Sequence, residues 1–498
     1  MQLGNINVYR QFVVKQSASQ KPEQSEDVEK KEECVSGSSD KLDERNEDSK
    51  PEEKKEDLLK YDRPDISDLS GNFDIFLNKP QILTIGSGKN TTVSYEDLSQ
   101  LFGGTDKLDR ITAFDICGKL DEMLASDNPR LRRFANMLNN AFNSYNISDR
   151  EDLKVYLLQE IISKISQQND WTLSGIGGYN LEPEHLLDLL NNDSFFVSLQ
   201  GILNSSELHD AMEGGFDSTI GSFVQNGAGP CWMFSGLKAL SASTTGQELI
   251  RNSMSWAPDR SSVTIYFQGV NKSYNISLTE LMENRHMYAF GDIEAVAFAM
   301  ATEMLRRDIK EENVEVTDHN NYNYVNKDDN GNPSEGLTSG NTTQFFYFLT
   351  GKYEDSTGNA QGNNIVSPTP ENLARLLEDG LIHYSAIATI EGPDLARFYR
   401  NYNYNNLNEN QLSELEATDE NGNPRHGHAF AITGISNGTV TVTDPSSTVS
   451  VELSWSEFCH YFETITQLYM HGETIQGFPV YEEAAHNPGD PIRKYNMG

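Results

Sequence analysis

The stretch QNGAGPCWMFSGLKAL, from Gln225 to Leu240, decides how the rest of this chain is understood. It begins as a glycine-rich, nearly uncharged loop, reaches a Cys-Trp pair, and continues with apolar residues at helical spacing. The spacing predicts a helix that starts at Cys231, with Phe234 and Leu237 facing the core. A cysteine at the start of such a helix is either a buried core thiol or a nucleophile.

The chemistry of a nucleophilic thiol sets two conditions for Cys231. A thiol attacks a carbonyl carbon only as the thiolate, and a free cysteine has a pKa of about 8.5. The positive end of a helix and a neighbouring imidazolium both lower that pKa. The predicted helix supplies the first condition, and the glycines before Cys231 allow the loop to approach a substrate closely. The second condition requires a histidine and a group that orients it.

One segment combines a histidine with a carboxylate, RHGHAFAITGISNGTVTVTDPSS at residues 425–447. Its alternating apolar residues predict a β-hairpin, with His428 opening the first strand and Asp444 closing the second. A carboxylate that accepts from the ring N–H fixes the tautomer of the histidine and stabilises its charged form. His428 is the predicted base, and the nearby His426 is the alternative.

Burial favours one register of this hairpin. A three-residue loop at 436–438 places four apolar side chains on one face, namely Phe430, Ile432, Val440 and Val442. The same register places His428 and Asp444 on one face. We therefore predict an odd loop, a left-handed Gly438 and an imidazole–carboxylate contact of about 2.7–3.2 Å.

The cysteine stretch resembles the nucleophile motif of papain-like cysteine peptidases, in which a Gln precedes the Cys-Trp pair by the interval that separates Gln225 from Cys231. The stretch GHAFAITG at 427–434 is similar to the histidine strand of that family. The resemblance implies that the Gln225 side chain and the N–H of Cys231 form an oxyanion hole. Asp444 stands where the family normally has an Asn that orients the histidine.

Two later segments resemble the calpain-type branch of the family. GLTSGNTTQFFYFLTGKYED at 336–355 is similar to the stretch before its Leu-Thr-Gly turn, and VELSWSEFCHYFETI at 451–465 to its closing strand and helix. Asp444-Pro445-Ser446 replaces the Asn-Pro-Trp of calpains, so the Trp that shields their triad is missing. Calpain calcium sites are not recognisable, so the sequence does not support calcium dependence.

No cofactor or metal is predicted. The four cysteines, Cys34, Cys117, Cys231 and Cys459, contain no CxxC pair, so neither zinc nor a disulfide framework is indicated. The segment NKDDNG at 326–331 resembles the start of an EF-hand loop. Leu337 occupies the position of the bidentate Glu, which favours a polar turn.

Composition limits the partners. Of 498 residues, 39 are Lys or Arg and 75 are Asp or Glu, giving a formal net charge of -36. Such a charge repels phosphate groups, so a protein or peptide substrate is expected and nucleic acid is not. No run of about 18 apolar residues predicts a membrane span. The absence of an apolar signal sequence predicts a cytoplasmic protein, or one exported without a cleavable signal peptide.

Three regions are predicted along the chain. Residues 1–62 are a disordered charged tail, because so polar a stretch cannot bury enough apolar area to offset its ordering entropy. Residues 63–205 are a mainly helical accessory or prodomain-like region. Residues 206–498 are the catalytic domain. The predicted fold class is α+β and papain-like, with a helical half that carries Cys231 and an antiparallel β half that carries His428.

These patterns favour a cysteine endopeptidase with a Cys231–His428–Asp444 triad and a Gln225 oxyanion hole. Two alternatives stay open. A transglutaminase or deamidase uses a Cys-His-Asp triad on glutamine side chains, which Asp444 permits, whereas Gln225 favours the peptidase. A catalytically silent calpain-like binding protein is the other alternative, and the intact set of four residues argues against it.

Overall fold

A computed structural model describes residues 92–105, 108, 111–169, 179–226, 230–310, 337, 340, 342–352, 363–381, 384–402, 407–418, 422, 424, 427–447 and 449–470. The predicted tail at 1–62, the EF-hand-like segment at 326–331 and His426 lie outside these residues. The described residues all fall within Thr91–Gly498, which belongs to one unit of the structure.

The N-terminal part of the described chain is helical, as its apolar periodicity predicts. Its helices are α1 (Tyr95–Phe102), α2 (Ala113–Gly118), α3 (Leu120–Ala125), α4 (Pro129–Ser144), α5 (Glu151–Gln168), α6 (Pro183–Asn191), α7 (Asp193–Leu203) and α8 (Ser206–Gly214). The short strands β1 (Ile111–Thr112) and β2 (Asn180–Leu181) pair with each other in antiparallel orientation. Pro183 is the first residue of α6, a position whose N–H has no partner within a helix, so the missing N–H of proline removes no hydrogen bond.

A second group of elements surrounds the cysteine motif. It comprises β3 (Phe223–Gln225), α9 (Cys231–Ser241), α10 (Thr244–Asn252), β4 (Met254–Trp256), β5 (Ser262–Phe267), β6 (Lys272–Ser277), α11 (Leu278–Tyr288), β7 (Ala289–Gly291) and α12 (Ile293–Lys310). Strand β3 pairs antiparallel with β7, and β4, β5 and β6 form a three-stranded antiparallel sheet. Helix α9 begins at Cys231, and Phe234 and Leu237 are fully buried, as predicted.

The largest sheet is built from the C-terminal part of the described chain. Its strands are β8 (Asn363–Val366), β9 (Tyr384–Glu391), β10 (Gly427–Ser436), β11 (Thr439–Thr443), β12 (Ser450–Ser454) and β13 (Thr464–Tyr469). They lie in the order β12-β11-β10-β9-β13-β8, and every neighbouring pair is antiparallel. The accompanying helices are α13 (Thr342–Thr350), α14 (Pro370–Asp379), α15 (Gly392–Tyr402), α16 (Glu409–Leu415) and α17 (Trp455–Tyr461).

The β10–β11 hairpin differs from the predicted one in its loop. Ser436 pairs with Thr439, so the turn consists of the two residues Asn437–Gly438, and the predicted three-residue loop is wrong. The pairing shifts after Ile432, where a β-bulge puts this residue opposite Val442. The glycine of the turn is left-handed as predicted, with φ 92°. The extra residue thus sits in the bulge, and the buried face is the one expected.

Two buried clusters hold these elements together. The first extends from the helical region through α9 and α12 to Ala429 and Ala431 on one face of β10, without a break at residue 205. The second lies on the opposite face of the sheet and includes Phe430, Ile432, Val440 and Val442. His428 belongs to this second face by alternation, whereas Cys231 packs against the first cluster. Although they belong to different clusters, the two predicted catalytic residues contact each other at the beginning of β10.

The described chain is a mixed helix-and-sheet fold, in agreement with the predicted α+β class. No helix within the described ranges is long and apolar enough to cross a membrane.

Candidate active site

Cys231 is the first residue of α9, and its side chain is only partly buried. The first turn of a helix presents backbone N–H groups that have no partner within the helix, together with the positive end of the helix dipole. The sulfur also forms a hydrogen bond with the imidazole of His428. The start of a helix and an imidazole, the two neighbours expected of a nucleophilic cysteine, therefore both adjoin Cys231.

His428 contacts the predicted carboxylate. Its Nε2 lies 2.8 Å from Oδ1 of Asp444, within the predicted range. The two side chains are buried, with 5% and 0% of their surface exposed. Because Nε2 faces Asp444, the other ring nitrogen, Nδ1, is the one left to bond the sulfur of Cys231.

The surroundings of His428 favour its charged form. Burial lowers the pKa of the imidazole, but the Asp444 carboxylate and the Cys231 sulfur outweigh burial and raise it to about 10. At neutral pH the ring therefore carries two protons, one directed at the carboxylate and one at the sulfur. This is the protonation state that a thiolate–imidazolium pair requires.

Asp444 is surrounded by donors from the protein itself. The backbone N–H of Ser446 donates to Oδ1 over 2.7 Å, and the hydroxyl of Tyr399 donates to Oδ2 over 2.8 Å. Burial raises the pKa of the carboxyl, but His428, Ser446 and Tyr399 together hold it below its ordinary value. Asp444 is fully buried even though Ser446, which stands where a shielding Trp would be expected, has a small side chain.

Gln225 is the last residue of β3 and is only 4% exposed. Its backbone N–H donates to the carbonyl of Pro445 over 2.7 Å, which joins the glutamine strand to the loop that carries Asp444. The next residue, Asn226, donates its N–H to the carbonyl of Tyr288 over 2.8 Å. Residues 227–229, between Gln225 and Cys231, lie outside the described residues.

Helix α9 is tied to the strands on both sides of the site. The hydroxyl of Ser235 donates to the carbonyl of Ala429, next to His428, over 2.6 Å. The ammonium of Lys238 donates to the carbonyl of Phe223 in β3 over 2.8 Å and lies 4.4 Å from the centre of the Phe223 ring. One helix therefore positions the cysteine relative to both the histidine strand and the glutamine strand.

The structure brings Cys231, His428 and Asp444 together through side-chain contacts, and it joins Gln225 to them through the backbone. Three polar residues of the site were not predicted from the sequence, namely Ser235, Lys238 and Tyr399. Lys238 had a signal, because it is the one charged residue in the stretch CWMFSGLKALS. Tyr399 had none, because it lies 45 positions before Asp444 on a different element.

Neither a protein-family model nor a curated protein matches this chain. Among the described residues, no group of three or more His, Cys, Asp or Glu side chains is placed to hold a metal ion. The function of the site is therefore inferred from its own residues and geometry.

Proposed function

We propose that the chain is a papain-like cysteine peptidase that hydrolyses peptide bonds, with Cys231 as nucleophile, His428 as acid and base, and Asp444 as the residue that orients His428. The observation that carries the proposal is the hydrogen-bond chain from the partly exposed sulfur through the buried imidazole to the buried carboxylate. Such a chain activates a thiol at the protein surface. By contrast, burial first and the Glu151 carboxylate second raise the pKa of the buried Cys117 to about 12.

The acylation step uses the proton that His428 carries. The sulfur of Cys231 attacks the carbonyl carbon of the substrate, and a carbon–sulfur bond forms. The carbon–nitrogen bond then breaks as His428 gives its proton to the departing amine. The acyl group remains on Cys231 as a thioester.

The developing oxyanion needs donors that are already in place. The backbone N–H of Cys231 lies in the first turn of α9, where such groups have no helical partner. The Gln225 side chain is the second proposed donor, on a buried residue whose backbone is held by Pro445. Preorganised donors of this kind stabilise the tetrahedral intermediate more than the ground state.

Deacylation returns the site to its starting state. The neutral imidazole of His428 takes a proton from a water molecule, and the water oxygen attacks the thioester carbon. The carbon–sulfur bond breaks, a carboxylic acid leaves, and the thiolate–imidazolium pair is restored. Asp444 stabilises the imidazolium each time it forms.

One alternative shares the first half of this cycle. A deamidase or transglutaminase with a Cys-His-Asp triad attacks the side-chain amide of glutamine, so ammonia leaves in place of an amine. The observation that favours it is the carboxylate of Asp444 as the third member. The proposed donor Gln225 favours the peptidase.

The first experiment measures whether Cys231 is activated. Intact mass is followed during reaction with iodoacetamide at about pH 6, where an ordinary thiol is mostly protonated. We expect one fast adduct on the native protein and none on Cys231→Ala. The matched control is Cys459→Ala, which removes a partly buried thiol whose pKa is raised by burial and which should leave the fast adduct unchanged.

The outcomes separate the candidate functions. Equal labelling of the native protein and Cys231→Ala would contradict an activated thiol. The native protein is then incubated with a mixture of unlabelled proteins. New N-termini support the peptidase, whereas ammonia release without new N-termini supports the glutamine-directed alternative and overturns the peptidase.

A further inference from the structure

We propose that Tyr399 is a positioning residue of this site, whose hydroxyl holds the second oxygen of Asp444 and so fixes the carboxylate against His428. This inference rests on the proposed function. Tyr399 lies on α15 and is 2% exposed. Its hydroxyl donates to Oδ2 over 2.8 Å, whereas His428 bonds Oδ1.

The donors to Asp444 come from three separate segments. His428 Nε2 from β10 and the N–H of Ser446 both reach Oδ1, at 2.8 and 2.7 Å. With donors on Oδ1 alone, the carboxylate could rotate about its Cβ–Cγ bond and change the direction it presents to the imidazole. The bond from Tyr399 to Oδ2 opposes this rotation. The orientation of the ring that faces Cys231 therefore depends on α15.

The phenol is itself held by packing close to the histidine. The ring of Tyr399 lies 6.5 Å from that of Phe430, which meets the His428 ring edge to face at 5.1 Å. A side chain fixed in this way donates its hydrogen bond without further loss of conformational entropy. Tyr399 and His428 thus share one aromatic wall on the buried face of β10.

The charge of Asp444 gives Tyr399 a second effect. Asp444 is 0% exposed, so its ionised form depends on donors from the protein. Tyr399 donates to the carboxylate and helps keep the pKa of Asp444 below its ordinary value, against the effect of burial. Without this donor the pKa of Asp444 rises, and the charge that stabilises the imidazolium is lost at a higher pH.

Other charged groups face Asp444, and their titrations must be distinguished from that of its carboxyl. His428 faces it from β10, with Cys231 beyond, and Lys238 on α9 lies within electrostatic reach. Burial lowers the pKa of Lys238 to about 8, partly offset by Asp444. The titrations of Lys238 and His428 therefore lie on the alkaline side, and the acid side reports the Asp444 carboxyl.

The experiment measures the rate of Cys231 alkylation by iodoacetamide across pH for the full chain and for Tyr399→Phe. We expect the acid limb, which is the low-pH side of the pH–rate profile, to move to higher pH in Tyr399→Phe. The alkylation rate should be about tenfold lower than the native rate near pH 4.5 and within about threefold of it near pH 8. The matched control is Tyr274→Phe, which removes a phenol–carboxylate hydrogen bond of 2.7 Å to Asp308, away from the site. It should leave the limb unchanged.

A double variant separates positioning from a general loss of stability. In the Asp444→Ala background there is no carboxylate for the Tyr399 hydroxyl to hold, so adding Tyr399→Phe should change the rate less than about threefold at any pH. This pair also remains informative if Tyr399→Phe alone fails to fold. Equal shifts in both backgrounds, or no shift in either, would overturn the role of Tyr399 while leaving Cys231-specific labelling intact. Absence of Cys231-specific labelling in the native protein would overturn the role and the proposed function together.

Discussion

Two clusters of buried charged side chains among the described residues differ in whether a reactive atom reaches the surface. The first is the catalytic cluster, named for its proposed role and defined as Cys231, His428, Asp444 and Tyr399. The second is the Arg285 cluster, defined as Arg285, Glu160, Tyr179, Asp292 and Glu294. Both contain side chains whose pKa is strongly shifted. In the catalytic cluster the chain of hydrogen bonds ends at a partly exposed sulfur.

The Arg285 cluster is built around a guanidinium that is only 1% exposed. Arg285 pairs with Glu160 of α5 over 2.7 Å, and its guanidinium lies 4.3 Å from the centre of the Tyr179 ring. It also donates to the carbonyl of Gly291 in β7, whose N–H donates to the Tyr179 hydroxyl over 3.0 Å. These contacts attach the helical region to β7, the strand that pairs with the glutamine strand β3.

The carboxyls Asp292 and Glu294 of the Arg285 cluster lie at the start of α12. Asp292 accepts the N–H of Glu294 over 2.8 Å and so caps α12. The indole of Trp256 donates to Glu294 over 3.0 Å. Burial first, and the nearby Asp292 second, raise the pKa of Glu294 well above its ordinary value.

A shifted pKa therefore does not by itself identify a catalytic residue. Structural networks of buried charge shift pKa values as strongly as active sites do. What distinguishes the catalytic cluster is a partly exposed thiol at its outer end, with an imidazole and a carboxylate behind it. Breaking the Arg285 cluster should therefore cost stability, and breaking the catalytic cluster should cost chemistry.

The largest expected effect is on stability, in Arg285→Met. Removing the guanidinium leaves Glu160 without its buried partner, and such a change costs about 3–5 kcal/mol in the free energy of unfolding. Urea unfolding measures the loss. At low temperature the folded variant should still alkylate Cys231 within about threefold of the native rate.

The control for that prediction is Arg397→Met, which breaks the pair with Asp394 at 2.9 Å on a side chain that is 52% exposed. Exposed pairs contribute about 1 kcal/mol or less. A stability loss in Arg285→Met no larger than that of the control would contradict the structural role of the Arg285 cluster. A large loss of Cys231 reactivity in folded Arg285→Met would show that the two clusters are not separable.

The second effect is on chemistry alone, in Gln225→Ala. Loss of one oxyanion donor typically lowers kcat by about 10² to 10³. Alkylation by iodoacetamide forms no oxyanion, so the rate of Cys231 labelling should be unchanged within about threefold. Peptide hydrolysis and labelling are measured on the same preparation. A loss of kcat below about threefold would mean that Gln225 has only a structural role at the end of β3.

The smallest effect is a change in the pH dependence of stability, in Glu294→Gln. The pKa of Glu294 is raised in the folded protein, so folding takes up a proton above about pH 4.5 and the native protein loses stability as pH rises towards the folded pKa. The amide of Gln resembles the protonated carboxyl and cannot ionise.

The variant should therefore match the native protein near pH 4.5 and be more stable than it near pH 8, as measured by thermal unfolding at both values. Asp444→Asn gives the opposite sign. Its carboxyl has a lowered pKa, so the native advantage over this variant is present at neutral pH and disappears as pH falls. Parallel stability profiles for native protein and Glu294→Gln would contradict the protonated state of Glu294.

Local pattern was enough to predict the parts of the site that belong to single elements. Helical spacing after Cys231 predicted where α9 begins, and strand alternation predicted that His428 and Asp444 share a face. Burial of Ile432 opposite Val442 was predicted correctly, although the loop was not. A three-residue loop and a two-residue turn with a bulge place these side chains identically, so the apolar pattern could not distinguish the two.

The contacts between distant elements could not be predicted. Tyr399 reaches Asp444 from a helix that the sequence places no closer to the site than many others. Arg285 looks like an ordinary surface charge in the helix LTELMENRHMY, because the side chains that pair with it, Glu160 and Tyr179, come from another region. The partner of a buried charge is set by packing between elements, and a single sequence carries no record of that packing.

The hydrogen bond from Ser235 to Ala429 spans 194 positions of the chain. During synthesis the residues of α9 are therefore made long before those of β10, the strand that contains His428. Contacts so far apart in sequence close late, since the chain between them must first be ordered. Until β10 takes its place, no imidazole lies beside the thiol of Cys231. The order of residues along the chain thus delays formation of the proposed triad until the sheet has assembled.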